Sequence, residues 1–400
     1  MTDVLSGVRV LDLTTVLAGP FAAYHLGLLG ADVIKIEVPL TGDMAREFGE
    51  NDSLRSAHMG PSFVAQNAGK RSITVNLKDE AGAEVFERLV RSADVLLENM
   101  RPGVLSRLGF SPQRIADINP RLVYCALSGF GQTGPLSTRP AYDQIIQGFA
   151  GIASVTGLSD GGPVRVGFPV CDTLGGYAAA MAICAALVKS SRTQQGSYLD
   201  VSMLEAALTS MSWVISEHLI SNRPAMRYGN DNAASSPSGT FSANDGPINI
   251  ATNTQVQFAA LCRVVGREDL LEDERFVTRT ERKRHRQELS AELDVALQSR
   301  SAREWEDLLA AVSVPAGRLL NVEEALNQEQ IRERGLVHDI ALDLPGQPTV
   351  KVLGSGVHVD GRTLAPSSPP PLLGEHTDEL LIELGYTRDE IVALRERQAI

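Results

Sequence analysis

The 400-residue sequence predicts an α/β fold: a large Rossmann-like domain on a mainly parallel sheet, plus a smaller α+β domain. Three observations carry this. Short apolar strands alternate with helices along the first half of the chain, the pattern of a parallel sheet. The length exceeds what one ordinary core supports and suggests about two domains. The character changes near Ser221, where a polar, turn-rich connection leads into a hairpin and then a helical, charged stretch.

Val8 to Leu13 reads as a strand, followed by Val16-Leu17-Ala18-Gly19-Pro20 and a helix to about Leu29. Gly30-Ala31-Asp32 is a turn, and Val33 to Glu37 a second strand. Strand, glycine-containing loop, helix, strand ending in an acid is a Rossmann-like βαβ unit. The G-x-G-x-x-G fingerprint is absent, so the unit is read without a nicotinamide dinucleotide. Lys70-Arg71-Ser72 leads into a strand from Ile73 to Leu77. The helix Glu80 to Ser92 presents Ala83, Phe86, Leu89 and Val90 on one face. Strand Val95 to Glu98 ends at Asn99-Met100-Arg101-Pro102-Gly103, and the next helix carries Arg107. Strand Leu122 to Leu127 runs into Ser128-Gly129-Phe130-Gly131. Ligands of such sheets sit beyond the carboxyl ends of the strands. Lys70, Arg71, Asn99, Arg101, Arg107 and Arg139 stand near those turns. Each alone reads as a solvated surface group; together they can form a basic pocket for a phosphate-rich ligand.

Arg139-Pro140-Ala141-Tyr142-Asp143 precedes a small-residue helix, Gln144 to Ala150, and a Gly-rich loop runs from Gly151 to Gly167. Tyr198 to Val201 is a strand and Ser202 to Ile220 one long helix. In the second domain, Phe241 to Thr252 is a hairpin turning at Asp245-Gly246. Val256 to Leu326 is helical, with Glu281 to Arg286 a solvated face. Val350 to Val359 adds strands, Ser367 to Pro371 is a stiff tether, and Gly374 to Asp378 starts a final helix toward Ala399. The boundaries read as 1–200 for the large domain's first part, 201–226 for a linker helix and connection, 227–327 for the small domain and 328–400 for a return segment.

The chemistry concentrates in Gly161 to Leu187, GGPVRVGFPVCDTLGGYAAAMAICAAL. Asp172 stands where a Gly/Pro-rich loop gives way to an alanine-rich helix, which makes it an N-cap candidate. Gly175 and Gly176 are poor residues for a first turn and suggest close approach of something bulky. The helix is apolar almost throughout, so it is expected to be buried with its N-terminus opening into a crevice. The helix dipole favours an ionised carboxylate there, and such a carboxylate can act as a nucleophile. Cys171 is a second candidate nucleophile, without a His near it in sequence. Asp143 is either a second carboxylate in the site or the cap of the helix that follows it.

A net charge of -12 and a pI of about 5.2 argue against a nucleic-acid partner or an anionic membrane surface. Cys125, Cys171, Cys184 and Cys262 lack metal-ligand spacing, so no metal is expected, and they read as free thiols of a reducing, cytoplasmic compartment. The N-terminus has no basic region followed by a long apolar core. Apolar stretches break short of about 18 residues, so no membrane span is expected.

These segments together resemble the class III CoA transferases, the superfamily of formyl-CoA transferase, carnitine CoA transferases and α-methylacyl-CoA racemase. The resemblance is carried by LSGVRVLDLTTVLAGPFA, GADVIKIEVPLTGD, NAGKRSITVNLK, ADVLLENMRPGVLSRLG, the Asp172 stretch and PPLLGEHTDELLIELGY, in order along nearly the whole chain. It implies a large domain built from both chain ends, a small domain between them, and a homodimer of interlocked rings. It implies that Asp172 is the catalytic carboxylate. It places Val16, Ala18, Lys70, Asn99, Arg101 and Arg107 along a CoA groove, Arg101 by neighbourhood only. Leu17, Arg139, Tyr142, Gly175 and Gly176 would belong to the acyl site or its support. Acyl-CoA and small carboxylic acids would be the substrates, with no permanently bound cofactor. Leu17 stands where formyl-CoA transferase has a Gln, so a formyl or oxalyl specificity is not expected. That enzyme's glycine-rich flap is replaced here by Ser235 to Gly239, SSPSG.

The implied mechanism is a relay through an Asp172 acyl anhydride and an Asp172–CoA thioester, with N–H groups near Leu174 and Gly175 steadying the oxyanion. The racemase branch needs a base and an acid on opposite faces of the α-carbon. Its His position corresponds to Tyr142, and no His stands between His58 and His218. Tyrosine, with an ordinary pKa of about 10, is a poor base near neutrality. A CoA-binding protein without turnover is the remaining alternative, and the intact Asp172 argues against it.

Overall fold

The structure, a computed structural model, describes residues 3–344 and 347–400. The chain forms two compact units, one of residues 1–153, 165–225 and 329–400, the other of residues 154–164 and 226–328. The second unit thus includes residues 154–164, which the sequence reading leaves in the large domain's loop.

Among the described residues, the first unit is built on a six-stranded sheet in the order β3-β2-β1-β4-β5-β6, parallel throughout. The strands are β1 (Arg9–Leu13), β2 (Asp32–Glu37), β3 (Arg71–Thr74), β4 (Val95–Glu98), β5 (Val123–Ser128) and β6 (Ser197–Ser202). A parallel sheet is covered on both faces, so its central strands are apolar continuously rather than alternately. β4 and β5 are buried at every position. The intervening helices are α1 (Ala18–Leu28), α2 (Asp52–Ser56), α3 (Pro61–Asn67), α4 (Glu80–Ser92), α5 (Val104–Arg107), α6 (Pro112–Ile118), α7 (Asp143–Phe149), α8 (Ile152–Val155), α9 (Val170–Thr193), α10 (Met203–Ser210) and α11 (Ser212–Ser221).

One face of the sheet packs on α4, whose Val85, Phe86, Leu89 and Val90 repeat at helical spacing and are buried. Burying a side chain the size of Phe86 contributes about 2–3 kcal/mol. The chain's C-terminal residues share this core through Leu380, Leu381, Ile391 and Leu394. The other face carries α1 and α9, with Ala22, Ala23, Ala179 and Ile183 at its centre.

Several elements differ from expectation. Ser202 to Ile220 is not one helix: α10 and α11 meet at Ser212, whose φ of 28° breaks the run. The final helix is also two, β10 (Val337–Leu344), β11 (Gln347–Leu353) and a short β12–β13 pair (His358–Val359, Arg362–Thr363) preceding α18 (Thr377–Glu383) and α19 (Arg388–Glu396). Gly385, at φ 86°, ends the first of them in a left-handed turn that lets Tyr386 fold back beside Leu381. The strand expected at Ile73 to Leu77 is β3, which starts and stops earlier. At 24 residues, α9 is long and apolar enough to cross a membrane by length and composition, contrary to the sequence reading. It packs instead on α1, β5 and β6 as a core helix, although Tyr177, Met181 and Val188 remain exposed.

The second unit holds β7 (Ser238–Ser242), β8 (Pro247–Ala251), α12 (Gln255–Val264), α13 (Arg279–Arg284), α14 (Arg286–Leu297), α15 (Ala302–Ala311), β9 (Ala316–Arg318) and α16 (Val322–Leu326). α17 (Glu329–Glu333) returns the chain to the first unit. β7 and β8 form the expected hairpin, closed by the Ala243 N–H donating to Gly246 at 2.9 Å. Its core is Phe241, Ile248, Phe258, Leu293 and Trp305. The charged run 281–286 is not simply a solvated face. Arg282 is buried, donating through Nε to the Ser236 carbonyl and through Nη1 to that of Phe276, and it lies over the Phe258 ring.

Candidate active site

A cavity of about 230 Å³ opens beyond the carboxyl ends of β1, β4, β5 and β6. The strand order reverses between β1 and β4, and ligands of open α/β sheets bind at such a switch point. Thr15–Ala18 follow β1, Asn99–Pro102 follow β4, Ser128 ends β5 and Met203 follows β6; all reach the cavity. Asp172, Arg139 and Tyr142 also line it.

Asp172 is not the cap of its helix. α9 begins at Val170, with Pro169 at the cap position making no side-chain bond, so Asp172 lies inside the first turn. The cap arrives from elsewhere in the chain. The Asp143 Oδ1 accepts the Cys171 N–H at 2.7 Å and, more weakly, the Asp172 N–H at 3.4 Å. Asp143 does not cap its own helix, where Tyr142 is at the cap position without a side-chain bond. Gln147, one turn on, donates to Asp143 Oδ2 at 2.7 Å and takes the Val166 N–H on its carbonyl at 2.8 Å, fixing the loop into α9.

Burial pushes the Asp172 carboxyl up to about 7, and the Asp143 charge adds to it. Near neutral pH Asp172 is therefore divided between its acid and its carboxylate. Cys171 is no competitor: burial, with Asp143 and Asp172 nearby, pushes its thiol up to about 12. The expected oxyanion donors are also spent. With α9 starting at Val170, the Leu174 and Gly175 N–H groups point to carbonyls one turn back.

The two glycines make room for protein. A Cβ on Gly176 would stand 2.7 Å from the Ala18 carbonyl oxygen and 2.8 Å from Phe21 Cδ1. One on Gly175 would meet Met203 Cγ at 2.9 Å. Neither lines the cavity; they let α9 approach α1 and α10.

Val16, Leu17 and Ala18 line the cavity where α1 begins. Asn99 reaches it too, with both ends of its amide engaged on Thr15: the Thr15 N–H donates to Oδ1 at 2.9 Å and Nδ2 donates to the Thr15 carbonyl at 2.8 Å. Arg101 and Arg139 line the cavity, giving it two cations. Arg107 is exposed at the end of α5 and outside the lining. Lys70 is displaced furthest from expectation. It is buried, and its Nζ donates to Asp12 Oδ2 at 2.7 Å, to Asn67 Oδ1 at 2.9 Å and to the Pro20 carbonyl at 3.1 Å. Burial lowers its pKa to about 8 against the pull of Asp12, so the pair is ionised at neutrality.

Sequence reasoning missed Lys35, Glu37, Asp43 and Arg46, which with Asp12 and Lys70 form a fully buried set of three carboxylates and three cations under this corner of the sheet. The signal was a charged residue at alternate positions of a strand that must be buried on both faces. Also missed were Met44, Met100 and Met203, the flexible apolar side chains of the cavity wall. Among the described residues, no group of His, Cys, Asp and Glu is placed to hold a metal ion.

The chain matches CoA-transferase family III over residues 5–377. It is 42% identical over 350 residues to an acetyl-CoA:oxalate CoA-transferase of Acetobacter aceti, covering 87% of this chain and 89% of that protein. It is 35% identical over 394 residues to a succinate–glutarate CoA-transferase of Agrobacterium fabrum, with 95% of each chain covered. A crystal structure of a CaiB/BaiF family protein from Brucella suis superposes with a TM-score of 0.83 at 33% identity, covering 96% of this chain and all of the other. On sequence and fold together, the chain belongs to the family III CoA-transferases.

Proposed function

We propose that this chain transfers CoA from an acyl-CoA donor to a free carboxylic acid by a covalent relay through Asp172. The observation that carries the reading is Asp172 itself, a carboxylate with a pKa of about 7 lining a cavity that also holds Arg101 and Arg139. The ionised Asp172 attacks the thioester carbonyl; the C–S bond breaks and CoA leaves as its thiolate, giving an aspartyl acyl anhydride. The thiolate attacks the aspartyl carbonyl and expels the donor acid as a carboxylate, leaving an Asp172–CoA thioester. The acceptor carboxylate attacks that thioester, forming a second anhydride and freeing the thiolate. Attack of the thiolate on the acyl carbonyl gives the new acyl-CoA and returns Asp172. No net proton is consumed, and thioester energy is conserved through each step.

The raised pKa has a use in this scheme. A desolvated carboxylate is a stronger nucleophile than a hydrated one, and the burial that desolvates it also shields the anhydride from water. The cations suit an anionic cofactor arm and an anionic acid on an otherwise acidic protein. Small dicarboxylic acids are the substrate class, supported by the names of the oxalate and glutarate relatives. Leu17 argues against formyl transfer, while the Acetobacter relative keeps oxalate among the acids to test. The functional unit is a homodimer. Exposed Trp213, Leu219 and Ile220 on α11, a helix without a buried residue, support that reading. The test is a panel of acetyl-CoA and succinyl-CoA against oxalate, succinate and glutarate, followed by chromatography of the CoA esters. Exchange with at least one pair, lost in Asp172→Ala, is expected; no exchange with any pair contradicts the substrate class.

A further inference from the structure

The corner between β1 and α1 is pinned to an unusual degree. Val16 has φ 70°, in the left-handed region that a β-branched residue avoids. Such strain persists only where the surroundings over-determine it, and it clusters at functional sites. Here five successive backbone groups are each held by a side chain. The Thr14 N–H donates to Asp12 Oδ1 at 3.1 Å, and its carbonyl accepts Lys35 Nζ at 2.9 Å. Asn99 holds both groups of Thr15. The Val16 N–H donates to Asp43 Oδ1 at 3.0 Å. Lys35 and Asp43 are themselves paired at 2.9 Å and fully buried, so one ion pair grips the turn on both sides of Thr15. Asp43 is in turn fixed by its own N–H, which donates to Glu37 Oε1 at 3.0 Å, and Glu37 is locked to Arg46 at 2.7 Å.

The turn so held feeds the cavity directly. Val16, Leu17 and Ala18 line it, and Leu17 caps α1 without a side-chain bond, leaving the first N–H groups of the helix without an intrahelical partner. The acyl-CoA arm is a chain of amides whose carbonyls can accept from just such N–H groups held in a fixed place. We propose that the buried Lys35–Asp43 pair is a positioning element for acyl-CoA, holding the Val16 turn in the geometry that receives the amide-bearing arm. This rests on the acyl-CoA reading of the cavity. Neither residue touches substrate; each acts through the backbone of Thr14 and Val16. A merely structural pair would affect folding alone, whereas a positioning pair sets affinity for the CoA portion and leaves the acceptor acid untouched.

The test is calorimetric titration of the full-length protein with free CoA, together with KM and kcat for donor and acceptor. In Asp43→Asn the turn loses its charged anchor, and CoA Kd and acyl-CoA KM are expected to rise about tenfold, with kcat and acceptor KM within about threefold. Ser72→Ala is the control: it removes a hydrogen bond to Glu37 Oε2 at 2.8 Å in the same buried set, leaves Glu37 Oε1 on the Asp43 N–H, and should lower the melting temperature without changing CoA affinity. In a Val16→Gly background the left-handed turn is freely adopted, so adding D43N should move Kd by less than about threefold. Where D43N does not fold, Asn99→Ser releases the same turn from its exposed side; because Asn99 also lines the cavity, its rise in Kd must disappear in the Val16→Gly background. Wild-type protein that binds no CoA would remove the acyl-CoA reading and this proposal with it. Wild-type binding matched by folded D43N, or an equal D43N effect in both backgrounds, overturns the positioning role alone.

Discussion

Asp172 shows how a side chain's neighbours set its chemistry. Its folded pKa of about 7 lies above the ordinary value of 3.8 because burial, and then Asp143, disfavour the charge. The folded protein therefore binds the Asp172 proton more tightly than the unfolded chain does. Its ionisation costs stability that is intact below pH 4, is lost as pH rises, and is fully lost above about 7. Asp172→Asn is expected to be more stable than wild type at pH 8 by roughly 1–3 kcal/mol, an advantage that fades toward pH 4. Melting temperatures across that range check it; an advantage constant with pH would contradict the buried charge. In activity the same group should give a kcat/KM for acyl-CoA that rises with pH through about 7. Asp143→Asn, which keeps an oxygen for the Cys171 N–H but removes the neighbouring charge, should move that rise to lower pH. Asp172 was legible in the sequence because a glycine-rich loop meets an apolar helix there. Its cap was not, because Asp143 comes from 29 residues away. Lys70 was misread for the same reason: its burial depends on Asp12, 58 residues distant.

Helices that pack tightly name their contacts through small residues. Gly176 faces the backbone of α1, where a Cβ meets the Ala18 carbonyl, whereas Gly175 faces the flexible Met203. Gly176→Ala should cost about 1–3 kcal/mol despite its better helix propensity, and Gly175→Ala distinctly less. Thermal melts of the two variants decide it, and equal costs would contradict the packing. The limits of α4 were readable from its one apolar face, and those of β4 from the turns that bound its short apolar run. The break at Ser212 was not, since nothing in MSWVIS interrupts a helical pattern. Gly385 was a readable stop signal, passed over because apolar residues resume after it.

For the whole molecule, the sheet order locates the cavity and the family supplies the reaction class. The parallel sheet was visible in the alternation of strands and helices. The strand order was not, because crossovers leave no local mark. The exposed apolar residues of α11 were legible as hydrophobic but not as unpartnered. If the chain is a homodimer, sedimentation should give about twice 43.0 kDa, and a monomer at micromolar concentration would contradict that assembly. The central claim is the covalent relay. Its most direct test is mass spectrometry of protein incubated with acetyl-CoA or succinyl-CoA, quenched with borohydride and digested. The account predicts reduction of, or a CoA adduct on, the peptide carrying Asp172, absent in Asp172→Ala. An unmodified Asp172 in a preparation that still turns over, with solvent deuterium entering the acyl α-carbon, would contradict it.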